Sequence, residues 1–469
     1  MNEPHQPSQG VLPNGWSVTS VLRRLVSVMP NEVPALLWSF GYFFCLLCGY
    51  YILRPLRDEM GVAAGVENLQ WLFTGTFLAM LAAVPLFGWA VARLPRAKLL
   101  PAVYVFFIVN ILVFYALFTI GFAEIALARA FFIWTSVFNL FVVSVFWSFM
   151  ADLFDNRQAR RLFGFIAAGG SAGAIVGPSL TAALAIPIGP VNLLLLSALL
   201  LAAAVLCIFR LSGWSEKREC VHRENDAGEH QSEHTAPSSV VEPIGGGILN
   251  GIKLVFSSRY LLGICVFILL FTTLSTFLYF LQAQLVADNF EDPAERTTVF
   301  ALIDVAVNIL TISVQVFVTG RLMSRFGVTV ALTAIPVLIA LGFIGLAVAP
   351  ILAVLLVFQV VRRAGGYSIM TPAREVLFTV VDKERKYKAK NFIDTVVNRG
   401  GDAVSAWLFA GLKAGGLGLG AIAVVAVPIA VLWIGVAVLL GRKQERLKEN
   451  GYGKTREATV IPVQTGIQS

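Results

Sequence analysis

The chain has little charge for its length. Of its 469 residues only 14% are Asp, Glu, Lys or Arg and 57% are hydrophobic, whereas a soluble domain has about a quarter charged residues. Apolar stretches of about 20 residues, long enough to cross a bilayer as helices, recur along the chain. This composition excludes an ordinary soluble protein and predicts an all-α membrane protein.

Residues that build catalytic and metal sites are also scarce. The chain has four histidines and five cysteines. Cys45 and Cys48 have no further Cys or His at the spacing of a metal site. The sequence contains neither a Ser/His/Asp set nor a nucleotide-binding loop. We therefore predict that the protein is not an enzyme and has no metal or cofactor.

The apolar stretches form two groups of six. The first group lies near 34–53, 69–91, 98–120, 125–151, 162–186 and 190–210. The second lies near 258–286, 297–320, 328–349, 351–379, 389–412 and 417–441.

Polar residues predominate before, between and after the two groups of spans. We expect a polar N-terminal segment, a solvated linker between the groups and a polar tail. Apolar residues at helical spacing within 18–29 predict a short helix on the membrane surface, and a simple lead-in to the first span is the alternative. The predicted division is 1–33, 34–211, 212–250, 251–442 and 443–469.

Two local repeats indicate that the halves are related. Gly88 and Arg93 follow the second span with the spacing of Gly320 and Arg325 after the eighth. The segment DNRQARRLFGFIAAGGSAG also aligns with DKERKYKAKNFIDTVVNRG at one constant offset. A duplicated six-helix unit is typical of transporters with a site near the bilayer midplane, between the repeats.

The basic residues follow alternate spans. Loops after even-numbered spans contain most of the Lys and Arg, and the loop after the seventh span is acidic. By the positive-inside rule, we predict a multi-pass protein of a bacterial inner membrane with both termini in the cytoplasm. The net charge of +8 is explained by this orientation and requires no nucleic-acid partner.

The loop after the second span resembles the signature loop of major facilitator transporters. From Gly88 to Lys98 it has the form G-x4-R-x2-R-x-K. The resemblance implies about 12 transmembrane helices in two pseudo-repeated six-helix halves. It also makes Gly88, Arg93, Gly320 and Arg325 candidates for gating loops.

Charged residues within or beside the predicted spans are the candidates for a substrate path, because intramembrane charge is costly. Most are arginines, and a guanidinium fits carboxylate and phosphate groups. The alternative is that the charges pair with one another and only join helices. The candidates for substrate binding are Arg54, Arg57, Arg362, Arg363, Asp394 and Arg399.

Asp304 and the small residues of 167–177 each have two possible roles. Asp304 lies in mid-span without a basic neighbour in sequence, so it is a candidate proton carrier in coupled transport or a counter-ion of an arginine. The small residues of 167–177 predict close helix packing, with ligand contact as the alternative.

Two stretches resemble the ADP/ATP exchangers of plastids and intracellular bacteria. The first is Y-x-I-L-R-x2-R-D, ending at Asp58, where Arg57 replaces the lysine of that family. The second extends from Tyr367 to Val396 and contains K-x-K-x-K-x2-I-D-x-V. This resemblance implies that Arg57 and Lys390 bind substrate. The fourth-helix glutamate of the family falls on Thr135.

The sequence thus predicts a secondary transporter of a phosphorylated or other anionic metabolite, with ATP/ADP exchange as the most specific case. We expect a monomer whose partners are that solute and the lipid bilayer. One alternative is a proton-coupled facilitator of an unrelated solute. The other is a non-transporting membrane scaffold or sensor.

Overall fold

The computed structural model describes residues 28–29, 31–93, 96–228, 255–381, 386, 389–390 and 392–459. These residues are almost entirely helical. Most of the predicted surface helix at 18–29, the linker from 229 to 250 and most of the basic loop at 382–391 lie outside the described residues.

The first half contains six long helices. They are α1 (Val33–Ala63), α2 (Leu69–Arg93), α3 (Arg96–Thr119), α4 (Glu124–Leu153), α5 (Asn156–Ile188) and α6 (Leu193–Gly228).

Two helices in this half extend beyond the predicted spans. Helix α1 continues to Ala63 rather than ending near 53, and α6 extends into the segment predicted as linker from 212. Polar residues end a hydropathy window but need not end a helix. The extension of α6 is rich in Glu, Lys and Arg, which have high helix propensity.

Among the described residues, the second half has six helices of 14 or more residues, and a seven-residue helix, Thr371–Leu377, lies between the fourth and the fifth of them. The six are α7 (Arg259–Asn289), α8 (Pro293–Val314), α9 (Gly320–Val348), α10 (Leu352–Gly365), α11 (Asn398–Ala414) and α12 (Leu419–Thr459). Three five-residue π-helical turns adjoin them: Gln315–Thr319 after α8, Gly366–Met370 after α10 and Ile393–Val397 before α11.

Ten helical stretches in the described residues are long and apolar enough to cross a membrane. One of them, Pro293–Val348, has 56 residues and as one helix would be about 84 Å long, whereas a bilayer core is about 30 Å thick. Gly327, with φ 79° and ψ 177°, breaks it into two spans. Helix α11 is not among the ten stretches, but its 17 residues and the five of the preceding π-turn together form a helical segment of 22 residues. With Pro293–Val348 counted as two spans and α11 added, the ten stretches become the twelve predicted spans.

Helices α1 and α5 pack backbone against backbone. Gly169, Gly173 and Gly177 recur every fourth residue on α5, and a Cβ atom on any of them would lie 2.5–2.6 Å from an α1 carbonyl oxygen. Those oxygens belong to Phe40, Phe44 and Cys48. Only glycine permits this approach, so the close packing predicted for 167–177 is confirmed.

Each half has its own apolar core. One core consists wholly of residues from 28–211, and the other of residues from 255–440 with a few from the first half. The halves meet where α5 faces α8 and α2 faces α11. There the Asn308 side chain donates to the Ala174 carbonyl (2.7 Å), and the Trp407 indole donates to Thr74 (3.1 Å). A polar cavity lies between the halves.

Candidate functional site

Three adjoining lobes form this central cavity. The arginine lobe, of about 370 Å³, is lined by Arg54, Arg57, Arg362 and Arg363 among others. The tyrosine lobe, of about 400 Å³, is lined by Tyr50, Tyr51 and Arg399 and shares Arg54 and Arg57 with the first. The small-residue lobe, of about 340 Å³, is lined by Ala167, Gly170, Ser171 and Ala174 of α5.

The π-turn after α10 places Tyr367 at the junction of the lobes, since this side chain lines all three. A π-turn disturbs the regular helical hydrogen bonds, and polar side chains bond to the carbonyl groups here. The Thr371 hydroxyl donates to the Gly366 carbonyl (3.0 Å), and the Thr319 hydroxyl donates to the Ser368 carbonyl (2.9 Å). The second bond connects the π-turns of α8 and α10.

Asp304 is the buried counter-ion of two arginines. Its carboxylate is 1% exposed, and Arg363 Nη2 lies 2.5 Å from its Oδ1. Arg54 Nε lies 3.6 Å from its Oδ2, too far for a hydrogen bond. The three residues join α8, α10 and α1. The geometry matches the counter-ion alternative, and the coupling role of Asp304 stays a prediction.

Arg57 is paired with its sequence neighbour. Its Nη1 lies 3.3 Å from Asp58 Oδ1, and its guanidinium stands over the Phe132 ring at 4.0 Å from the centroid. Tyr279 of α7 donates to the same Asp58 oxygen (3.0 Å). This cluster therefore connects α1 of the first half with α7 of the second.

Arg362 differs from these arginines because its partners are neutral. Its Nε donates to Gln359 (3.0 Å) and its Nη1 donates to Ser275 (2.8 Å). Gln359 in turn donates to Gln282. Arg362 is 8% exposed, and no carboxylate of the described residues lies within 4 Å of it. A buried cation without a counter-ion is costly in a membrane, so this position favours an anion.

Two other predicted binding residues lie in a separate ion cluster beside the cavity. Lys390 Nζ lies 2.7 Å from Glu375, and Asp394 lies 3.5 Å from Arg374. Of these four residues only Arg374 lines a described lobe. Arg399, by contrast, lines the tyrosine lobe and lies 3.8 Å from Asp402.

The candidate gating residues lie away from this site. Gly88 and Arg93 are exposed near the end of α2, and Gly320 and Arg325 are exposed near the break at Gly327.

Comparison with known proteins identifies the family. Residues 38–385 match the model of the Major Facilitator Superfamily. The chain belongs to this superfamily. The sequence matches no curated protein.

Solved structures of three transporters share the fold. The nucleoside transporter NupG is 14% identical, with a TM-score of 0.53 over 89% of this chain and 99% of that one. The POT family transporter PepTSo is 13% identical, with a TM-score of 0.59 over 89% and 99%. A bacterial homologue of the iron transporter ferroportin, in an inward-facing state, is 15% identical, with a TM-score of 0.55 over 91% and 99%. Its superfamily makes the protein a multi-pass membrane transporter rather than an enzyme.

Sequence analysis missed an ion pair between the two halves of this facilitator. Arg296 at the start of α8 lies 2.9 Å from Glu59 in the last two turns of α1. Glu59 is 0% exposed, and Arg296 also donates to the carbonyls of Phe290 and Glu291. Glu59 directly follows the motif that ends at Asp58 and was not among the predicted site residues. Apolar residues continue at helical spacing through Met60, and this pattern could have shown that the first helix extends to Glu59.

Proposed function

We propose that this facilitator transports a small anionic solute by alternating access, with the solute bound in the arginine lobe. The observation that carries the proposal is Arg362, a buried guanidinium whose partners among the described residues are all neutral. Such a charge costs free energy in the empty protein, and an incoming anion offsets that cost. Charge-assisted hydrogen bonds from a guanidinium are well suited to a carboxylate or phosphate.

The contacts between the halves support a rocking mechanism. Where α1 and α7 end, the Glu59–Arg296 ion pair and the Tyr279–Asp58 hydrogen bond both join one half to the other. Opening the cavity at this end requires both to break. In alternating access the two halves rock against each other around a midplane site, so contacts that join the halves at one end form and break in each cycle. By the positive-inside rule this end faces away from the cytoplasm, and both termini lie inside.

Nucleotide exchange is the narrower form of the proposal. It rests on the resemblance of the segments around Arg57 and Lys390 to ADP/ATP exchangers. Both side chains have carboxylate partners at 3.3 and 2.7 Å, so a nucleotide phosphate would have to compete with Asp58 and Glu375. ATP and ADP therefore belong in the test as two anions among several.

The test is the melting temperature of the detergent-purified protein with candidate solutes. The anions are ATP, ADP, inorganic phosphate, a sugar phosphate and a dicarboxylate. A neutral nucleoside and a dipeptide are included because structural neighbours are described as nucleoside and POT family peptide transporters. A ligand that binds only the folded state raises the melting temperature, and we expect this from at least one anion.

Matched variants locate the binding. Arg362→Gln should weaken the effective anion about ten- to a hundredfold, the loss expected for a charged hydrogen bond. Arg210→Gln makes the same change on α6, where Arg210 is exposed beside the Trp38 ring, and it should leave the shift intact. A shift with the neutral solutes alone, or with no solute, contradicts the proposal.

A further inference from the structure

The ion pairs around the central cavity differ in their balance of charge. Arg57 with Asp58, and Arg399 with Asp402, each match one cation to one carboxylate. The cluster beside the cavity is balanced as well, with two cations and two carboxylates: Arg374, Lys390, Glu375 and Asp394. With their carboxylates ionised, these groups contribute no net charge to the site.

The remaining charged side chains leave an excess of positive charge. Arg54 and Arg363 share the single carboxylate of Asp304, and Arg362 has none among the described residues. Counted by ion pairs, these three cations share one anion, which leaves two positive charges; Asp58 and Asp402 also line this lobe and are matched by Arg57 and Arg399. All three arginines line the arginine lobe, so the excess is concentrated in one part of the cavity.

The hydrogen bonds indicate which guanidinium groups have donors left for a ligand. Arg363 holds Asp304 Oδ1 at 2.5 Å, whereas Arg54 is 3.6 Å from Oδ2, and that oxygen accepts no hydrogen bond from a described residue. Arg362 uses Nε and Nη1 on neutral partners, and its Nη2 bonds to no described residue. Arg362 Nη2 is therefore a donor available to a ligand in the lobe, and Arg54 contacts Asp304 only beyond hydrogen-bond distance.

From this arrangement we infer that the transported solute has two negative charges, as a phosphate monoester or a dicarboxylate does. The inference rests on the proposed function and narrows its substrate class. A monoanion leaves one positive charge uncompensated in a site of low dielectric, and a triphosphate brings surplus negative charge into it. A phosphate monoester has a second pKa near 6, so at pH 7.5 it is mostly a dianion.

The experiment compares uptake of matched solutes into liposomes that contain the purified protein, at pH 7.5. One pair is a three-carbon sugar phosphate and its methyl phosphodiester, which differ by one charge. The other pair is a four-carbon dicarboxylate and its monoamide. ATP supplies a higher charge. We expect the dianion of at least one pair to exceed its monoanion partner about tenfold or more in kcat/KM, and to exceed ATP. The pair that responds distinguishes a phosphate from a dicarboxylate.

Variants then test the origin of the preference. Arg362→Gln removes one of the two excess charges, so the ratio of dianion to monoanion uptake should fall towards one, while Arg210→Gln should keep the wild-type ratio. The wild-type ratios decide the inference even if Arg362→Gln does not fold. Equal uptake within both pairs, or a preference for ATP, overturns the dianion inference and leaves anion transport established. Absence of uptake for every anion refutes the proposed function itself.

Discussion

Replacement of Gly173 by alanine should destabilise the protein by an amount that the structure allows us to estimate. A Cβ atom at this position would lie 2.5 Å from the Phe44 carbonyl oxygen and 2.9 Å from the Cys48 nitrogen. Both atoms are backbone atoms of α1, so neither can turn aside as a flexible side chain would. The two helices must separate by several tenths of an ångström, and overpacking of this kind costs about 1–3 kcal/mol.

A matched control removes the effect of helix propensity. Alanine is favoured over glycine within a helix by about 0.5–1 kcal/mol, and that gain applies equally to Gly164→Ala on the same helix. A Cβ atom on Gly164 would meet nothing within 4 Å. The difference between the two variants therefore isolates the steric cost.

The assay is the melting temperature of each detergent-purified variant, followed by tryptophan fluorescence. With an unfolding entropy of about 2.1 cal/mol/K per residue, a change of 1 kcal/mol shifts the melting temperature of a 469-residue chain by about 1 °C. We therefore expect Gly173→Ala to melt about 1–3 °C below Gly164→Ala. Equal melting temperatures, or a higher value for Gly173→Ala, would refute the inference that α1 and α5 pack through their backbones.

Two further predictions concern buried ion pairs. Asp304→Asn leaves Arg363 without its carboxylate and should cost about 3–5 kcal/mol. The double variant with Arg363→Gln should recover part of that loss in melting temperature, and a simple sum of the single effects would contradict the pairing. Burial raises the pKa of Glu32, but hydrogen bonds from a backbone N–H, Gln158 and Arg161 outweigh it, so the net pKa lies below 4.5. A carboxylate whose pKa is lower in the folded state stabilises that state at a pH above its unfolded pKa. The melting temperature of the wild type should therefore exceed that of Glu32→Gln near neutral pH, and the difference should shrink as the pH falls below 4.5. A difference in melting temperature that does not change with pH would contradict this prediction.

The membrane class, the two groups of six spans and the enrichment in arginine were predictable without coordinates. These properties depend on local composition, because the bilayer selects for apolar segments of one length and loop charge selects orientation. The glycine spacing on α5 was equally informative, since small residues every fourth position mark a face for close helix contact.

The end of α1 shows where local composition fails. Arg54, Pro55, Arg57 and Asp58 form a polar stretch, and a hydropathy pattern ends the span before them. In the folded protein the helix continues to Ala63, because the neighbouring helices enclose the arginines and Asp58 beside a polar cavity. The environment of these residues is set by helices that lie far away in sequence.

Local composition fixes the kind of charge in the membrane spans, whereas helix packing fixes which of these charges are paired. The sequence determined that this transporter has many intramembrane arginines and few carboxylates. Which arginines are paired depended on distances between α1, α8 and α10: Asp304 lies 59 residues from Arg363, yet within 2.5 Å of its guanidinium. Arg362 is adjacent to Arg363 in sequence but one helical position away on α10, where its hydrogen-bond partners among the described residues are Ser275 and Gln359. Electrostatic pairing acts over a few ångströms, and only the packing of the helices determines which charges come that close.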